Sequence, residues 1–157
     1  MGSCDTRAFE FAIVNCQLSI CNCQLSMPSP AKPWWRRWFG TRAEHAAERF
    51  LRKLGYRILV RNFTCDVGEL DLIVLDKSTI VFVEVRSTEE ADGTGPAASV
   101  DDAKQRRLTR LALYFLKQKK LLEHAARFDV LTVSWPEGRK EPAIEHFKNA
   151  FEAVGGP

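Results

Sequence analysis

Two short stretches decide the fold: GELDLI at residues 68–73 and FVEVR at residues 82–86. Each places an acid, Asp71 or Glu84, inside a run of apolar and β-branched residues, which is the composition of a β-strand. The polar residues 76–79 (DKST) between the runs predict a tight turn. We therefore expect an antiparallel hairpin in which the numbers of paired residues add up to 155, so that Asp71 lies opposite Glu84.

The predicted hairpin brings two negative charges together. Opposed residues on neighbouring strands have Cβ atoms about 4.5–5.5 Å apart. Two carboxylates about 5 Å apart repel by roughly 3 kcal/mol at an effective dielectric constant of about 20. A raised carboxyl pKa or a shared cation relieves such repulsion, and oxygen ligands suit a hard cation such as Mg²⁺. Arg86, two residues after Glu84, is expected on the same face of the strand.

Two kinds of site fit this spacing. An acid followed on the next strand by an acid-x-base triplet is the layout of a PD-(D/E)XK nuclease site. A solvated polar face of an ordinary hairpin is the alternative. The apolar neighbours Leu70, Leu72, Val83 and Val85 favour the nuclease layout, because strands that face only water are rarely hydrophobic on both faces.

The rest of the pattern predicts an α/β protein with a mixed sheet flanked by helices. Thr41 and Glu44 form a capping-box pattern for a helix at residues 41–54, and Gly55 can end that helix. Further strands are expected at about residues 56–64, 127–134 and 143–147.

A second predicted helix, starting at Ser99 or Asp101, concentrates positive charge. Residues 103–122 contain seven Lys and Arg residues and no acid, although the whole chain carries a net charge of only +3. Such a surface suits a phosphate backbone, and a solvated helix face is the alternative. Lys104 lies on the apolar side of this helix, so we expect it to point towards the protein. The residues expected to bind nucleic acid are Lys104, Arg106, Arg107 and Arg110.

Several short motifs occur here in a characteristic order: TRAEHAAERFL at residues 41–51, the GELD and FVEV cores at residues 68–71 and 82–85, and RFDV at residues 127–130. In order and spacing, residues 40–151 resemble the YraN-like family of uncharacterised bacterial proteins. That family is related to archaeal Holliday-junction resolvases in the PD-(D/E)XK superfamily. The resemblance implies a restriction-endonuclease-like fold.

The resemblance also implies catalytic residues and a metal. Glu44 would join Asp71 and Glu84 in holding Mg²⁺ or Mn²⁺, and Arg86 would complete the catalytic set. The chain departs from the family's usual Lys, Arg and Gly at Arg86, Thr88 and Ala43, respectively. The superfamily's lysine orients or polarises the attacking water, whereas an arginine is bulkier and does not deprotonate in proteins.

Three functions remain open on the sequence. The first is a metal-dependent endodeoxyribonuclease that hydrolyses phosphodiester bonds in structured or branched DNA, in repair or recombination. The second is a nucleic-acid-binding protein that kept the nuclease fold and lost cleavage through Arg86. The third is a protein–protein adaptor that uses the aromatic residues 34–39 (WWRRWF). Related resolvases act as dimers, so a homodimer is expected by analogy only.

Length and composition complete the expectations. A chain of 157 residues, 45% of them hydrophobic, is long enough for one domain, which we place at residues 40–152. Residues 1–39 are expected to be a disordered extension and linker, and residues 153–157 a tail. NCQLS recurs at residues 15–19 and 22–26, which favours Met27 as the true start. One cysteine in the domain and no run of about 20 apolar residues predict a cytoplasmic protein without a membrane span.

Overall fold

The computed structural model describes residues 34–88 and 100–154. The predicted extension up to residue 33 and the end of the predicted tail, residues 155–157, lie outside the described residues, as do the side chains of residues 34–41 and 88. Along the described chain the elements are α1 (Trp34–Lys53), β1 (Arg57–Cys65), β2 (Gly68–Asp76), β3 (Thr79–Thr88), α2 (Asp102–Gln118), β4 (Ala126–Ser134) and β5 (Ala143–Phe151).

The strands form one sheet in the order β1-β2-β3-β4-β5. Neighbouring strands are antiparallel, except that β3 and β4 are parallel and are joined by a crossover that contains α2. A parallel pair requires such a crossover, because a tight turn can join only antiparallel strands. The expected α/β fold, a mixed sheet flanked by helices, is confirmed.

The hairpin of β2 and β3 has the register that the sequence predicts. Asp76 pairs with Thr79 and Leu72 pairs with Val83, so the residue numbers of each pair add up to 155. Lys77 adopts a φ of 57° in the turn, a backbone conformation that two-residue hairpin turns commonly need. The turn and the apolar pattern therefore fix which residues of β2 and β3 are neighbours.

The two helices bury apolar stripes on the sheet. The stripe of α1 includes Ala43, Ala47 and Leu51, and it packs in one buried cluster with residues of β2, β3 and β4. The α2 stripe includes Phe115, whose ring stands edge-on to Phe82 of β3 at 6.0 Å between ring centroids. Neither described helix is long and apolar enough to cross a membrane.

The boundaries of α1 and of two strands differ from the predictions. The helix begins at Trp34, so the interpretation of Thr41 as its cap is wrong. Gly40 does not break the helix, because one glycine in a helix interior costs only about 1 kcal/mol relative to alanine. Strand β3 continues to Thr88 and β5 to Phe151, both beyond the predicted ends. The predicted cap of α2 is confirmed at Asp101, whose Oδ1 accepts the backbone N–H of Lys104 at 2.7 Å.

Candidate functional site

The candidate site lies where β2 and β3 separate. Their ladder ends at the pair Leu72 and Val83. Beyond this pair, β2 continues along β1 to Gly68 while β3 continues along β4 to Thr88. Asp71 is the first residue of β2 past the last pair, and its Oδ2 accepts the backbone N–H of Val85 at 2.8 Å. The carboxylate of Asp71 thus lies in the gap between the strands and replaces a bond of the ladder.

The electrostatic environment of Asp71 joins four elements of the fold. Burial and then repulsion by the Glu84 carboxylate raise the pKa of Asp71 from 3.8 to about 7. Glu44 of α1 raises this pKa further, whereas the Val85 N–H bond and the charge of Lys104 lower it. Two carboxylates repel in this way only when they are close together in surroundings with little water. The charges of Glu44, Glu84 and Lys104 therefore all act on the carboxyl group of Asp71.

Glu84 is buried and paired with a cation. Glu84 is two residues after Phe82 on β3, so the two side chains lie on the same face of the sheet. Phe82 contacts α2 on that face, and Glu84 therefore faces α2 as well. The Nζ of Lys104, in the first turn of α2, donates a hydrogen bond to Glu84 Oε1. The Glu84 side chain is 11% exposed and that of Lys104 is 25% exposed, so little solvent screens the pair. The prediction that Lys104 points towards the protein is confirmed.

Arg86 lies two residues past Glu84 on β3, next to Thr132 of the parallel strand β4. Its Nε is buried and has no hydrogen-bond partner within the described residues. A buried N–H of a guanidinium without an acceptor is costly, because the group gives up water and gains nothing in return.

The predicted basic residues of α2 have different surroundings. Arg106, Arg107 and Arg110 are exposed, unlike Lys104. The Nη2 of Arg106 is 4.0 Å from Asp102 one turn earlier. The aliphatic part of Arg107 lies over Gly68, because a Cβ at Gly68 would be 3.4 Å from Arg107 Cδ.

The donor set at the strand gap suits a hard cation. Asp71 and Glu84 supply carboxylate oxygens, and Mg²⁺ is commonly held by one or two carboxylates, several waters and a substrate phosphate. Within residues 34–88 and 100–154, no three acidic, histidine or cysteine side chains are gathered closely enough to hold a metal ion. The pair Asp71 and Glu84 therefore fits Mg²⁺ as a two-carboxylate site.

A second cluster of charged side chains, around Asp129 of β4, was not predicted from the sequence. Asp129 of β4 is buried, and it accepts hydrogen bonds from His146 Nε2 at 2.8 Å, Arg127 Nε at 3.0 Å and the Asn149 backbone N–H at 3.0 Å. Arg127 also donates to Asp76 Oδ2 at 2.9 Å. Burial opposes ionisation of Asp129, but the His146 and Arg127 bonds lower its pKa below the usual value. Because these bonds satisfy both carboxylate oxygens, the cluster ties the strands together.

Comparison with known proteins places the chain among uncharacterised relatives. The model of the uncharacterised protein family UPF0102 matches residues 43–133. A UPF0102 protein of Rhodopirellula baltica is 44% identical over 119 residues, which cover 74% of this chain and 71% of that protein. A UPF0102 protein of Desulfosudis oleivorans is 43% identical over 118 residues, which cover 75% of this chain and 93% of that protein.

A solved structure also matches the chain, at low similarity. It is the structure of SfsA from Pyrococcus furiosus in complex with Ca²⁺, which matches with a TM-score of 0.36 and 15% sequence identity. The match covers 72% of this chain and 63% of that chain.

Proposed function

The chain belongs to the uncharacterised protein family UPF0102, as the YraN-like resemblance predicted, and we propose that it is a nucleic-acid-binding protein of nuclease fold that hydrolyses phosphodiester bonds with a divalent cation. The proposed substrate is structured or branched DNA. The observation that carries the proposal is the meeting of Asp71 and Glu84 at the strand gap. Burial and then repulsion by Glu84 raise the pKa of Asp71 to about 7, and a bound cation would relieve this repulsion.

Asp71 and Glu84 are the proposed metal ligands, and Glu44 is the proposed third acid. The influence of Glu44 on the pKa of Asp71 supports its place in the site. A bound Mg²⁺ or Mn²⁺ would lower the pKa of a water molecule and stabilise the charge that develops on the phosphate.

Lys104 and Arg86 are the proposed cationic groups of the site. The ammonium of Lys104 contacts Glu84 Oε1 from α2, so it can do there what a lysine at the position of Arg86 does in related nucleases. Arg86 is suited to hold a phosphate oxygen, since its Nε has no acceptor among the described residues and arginine is always charged and binds phosphate well. On this assignment Lys104 orients the attacking water next to Glu84 and Arg86 positions the phosphate.

The proposal is tested with a panel of junction, flap, single-stranded and duplex DNA, with Mg²⁺, with Mn²⁺ and with a chelator. We expect cleavage that depends on the cation and that Asp71→Asn abolishes while binding persists or strengthens. The matched control is Asp66→Asn, which makes the same change at an exposed position in the β1–β2 turn. Wild-type protein that neither binds nor cleaves any member of the panel would overturn the proposal.

The cationic groups are tested by a rescue experiment. Lys104→Met should abolish cleavage, and Lys117→Met, at an exposed position near the end of α2, should not. Arg86→Lys should raise the cleavage rate of the wild-type protein and restore cleavage to the Lys104→Met variant, because it returns an ammonium to the β3 position. Loss of cleavage in Lys104→Met without rescue by Arg86→Lys would contradict the shared role.

A protein that binds nucleic acid without cutting it is the second candidate function. The identity of Arg86 favours it, because a guanidinium is crowded next to a metal-bound water. Binding of the panel without cleavage, by both wild type and Arg86→Lys, would establish this second function. A protein–protein adaptor would neither bind nor cleave.

A further inference from the structure

One side of α2 combines arginines with an exposed aromatic ring. Arg107, Arg110 and Tyr114 are spaced at i, i+3 and i+7, so they form a single stripe along the helix. Both arginines are exposed, and Tyr114 is 41% exposed. We call these three residues, together with Phe63 of β1, the arginine–tyrosine stripe. Neither Arg107 nor Arg110 forms an ion pair within the described part of the chain, in contrast to Arg106.

Ring contacts with the core hold the aromatic residues of this stripe in place. The rings of Phe63 and Tyr114 are 6.4 Å apart between centroids, with an angle of 39° between their planes. Phe63 also stands edge-on to the buried Phe115 at 5.3 Å. The Phe63 ring therefore rests against the core on one side and supports Tyr114 on the other. A supported ring that is 41% exposed is a good surface for stacking a planar group, because little conformational freedom remains to be lost.

The stripe leads to the candidate site. The stem of Arg107 lies over Gly68, at the start of the strand that carries Asp71. One helical turn before Arg107, Lys104 contacts Glu84. Tyr114 is ten residues beyond Lys104, which corresponds to about 15 Å along the helix. A continuous row of cations thus connects the ring to the two carboxylates.

We propose that the arginine–tyrosine stripe binds a single, unpaired nucleic-acid strand and leads its backbone to the Asp71–Glu84 site. This inference rests on the proposed function and adds its substrate class: the unpaired part of a structured DNA. The face of a base is open in a single strand, whereas in a duplex it is covered by neighbouring base pairs. Aromatic rings beside a basic groove are the usual means of holding such strands without regard to sequence.

The test is equilibrium binding of a fluorescent 16-nucleotide single strand and of its duplex, in the presence of a chelator so that neither is cut. We expect wild-type protein to bind the single strand at least about tenfold more tightly than the duplex. Tyr114→Ala should weaken single-strand binding by about 5- to 150-fold, the range that loss of one stacked base predicts. Its effect on duplex binding should be small, and Tyr114→Phe, which keeps the ring, should bind both like wild type.

The arginines are tested by their salt dependence. Arg107→Gln/Arg110→Gln should weaken binding of both the single strand and the duplex, and for the single strand it should reduce the slope of log K against log salt by about 1.4, since two phosphate contacts are lost. The control is Arg139→Gln/Lys140→Gln, with the same charge change at exposed positions, which should change neither affinity nor slope.

Three results would overturn the inference, and they show whether the proposed function fails with it. If Tyr114→Ala binds the single strand like wild type, or if wild type prefers the duplex, the stripe is not a single-strand surface, while cation-dependent cleavage of the panel would leave the proposed function standing. If wild-type protein binds neither probe and cleaves nothing, the proposed function and the stripe both fail.

Discussion

Replacing Asp71 by Asn should make the protein more stable at neutral and alkaline pH. In the folded protein the pKa of Asp71 is raised to about 7, chiefly by burial and by the nearby Glu84, while in the unfolded chain the carboxyl ionises near its usual value. Because the folded-state pKa is the higher one, the stability that the protonated carboxyl provides is complete below about pH 4 and is lost as the pH rises through 7.

The size of the effect follows from this shift. A difference of about three pKa units corresponds to about 4 kcal/mol, and relaxation and water entry reduce such penalties. We therefore expect Asp71→Asn to raise the free energy of unfolding by about 2–4 kcal/mol above pH 7. The new amide should keep an oxygen for the Val85 N–H, which donates to Asp71 at 2.8 Å in the wild type.

The assay is urea unfolding followed by circular dichroism, from pH 4 to pH 8.5 in the presence of a chelator. The difference in free energy of unfolding between the variant and wild type should be small near pH 4, grow up to about pH 7 and remain constant above it. A variant that is less stable than wild type at pH 8, or a difference that does not depend on pH, would refute the reasoning.

Asp76 is the matched control. It lies on the same strand, and its replacement by Asn should change the free energy of unfolding in the opposite direction. Burial works against its charge, but the Arg127 guanidinium at 2.9 Å lowers the pKa of Asp76 below the usual value. A lowered folded-state pKa gives stability that is present above about pH 4 and is lost in acid. Asp76→Asn should therefore destabilise the protein at pH 7, where Asp71→Asn stabilises it.

Two further predictions concern the packing around the site. Asp129→Ala should lower the free energy of unfolding by about 3–5 kcal/mol in denaturant titrations, because it leaves the cation of Arg127 without its buried partner; a loss no larger than that of the exposed control Glu123→Ala would contradict this. Gly68→Ala should cost about 1–3 kcal/mol, because Gly68 has a φ of 147°. Gly138→Ala should cost less, because its φ of 77° is nearer to the left-handed region that L residues can enter and no atom lies within 4 Å of the added Cβ; equal losses would contradict this ranking of the two backbone strains.

Much of the fold could be predicted because its central feature is local. The hairpin of β2 and β3 follows from two apolar runs and one turn, so the pairing of Leu72 with Val83 can be worked out from residue numbers. The predicted start of α1 at Thr41 is wrong, because the helix begins at Trp34. Residues that match a capping box can also occur in the interior of a helix, and their sequence alone does not distinguish the two positions. Tertiary context decides such cases, and the sequence does not contain it.

The candidate site was predictable in part for the same reason. Asp71 and Glu84 belong to one hairpin, whereas Glu44 could be added only through the family resemblance, because nothing in the residues themselves fixes how α1 packs. The bonding of His146 to Asp129 had no local signal. The β4–β5 register shifts between Phe128 and Val130, and alternation does not predict partners across such an irregularity.

The separation of β2 and β3 also has a consequence for folding kinetics. Asp71 and Glu84 meet once their hairpin closes, an event that takes about 1–10 μs in isolated hairpins. Lys104 arrives only with the crossover that pairs Ile80 with Ala126, and contacts between distant segments form more slowly. The hairpin thus carries its repulsion before the neutralising cation is in place. Refolding should therefore be fastest in mildly acidic solution, below the raised pKa of Asp71.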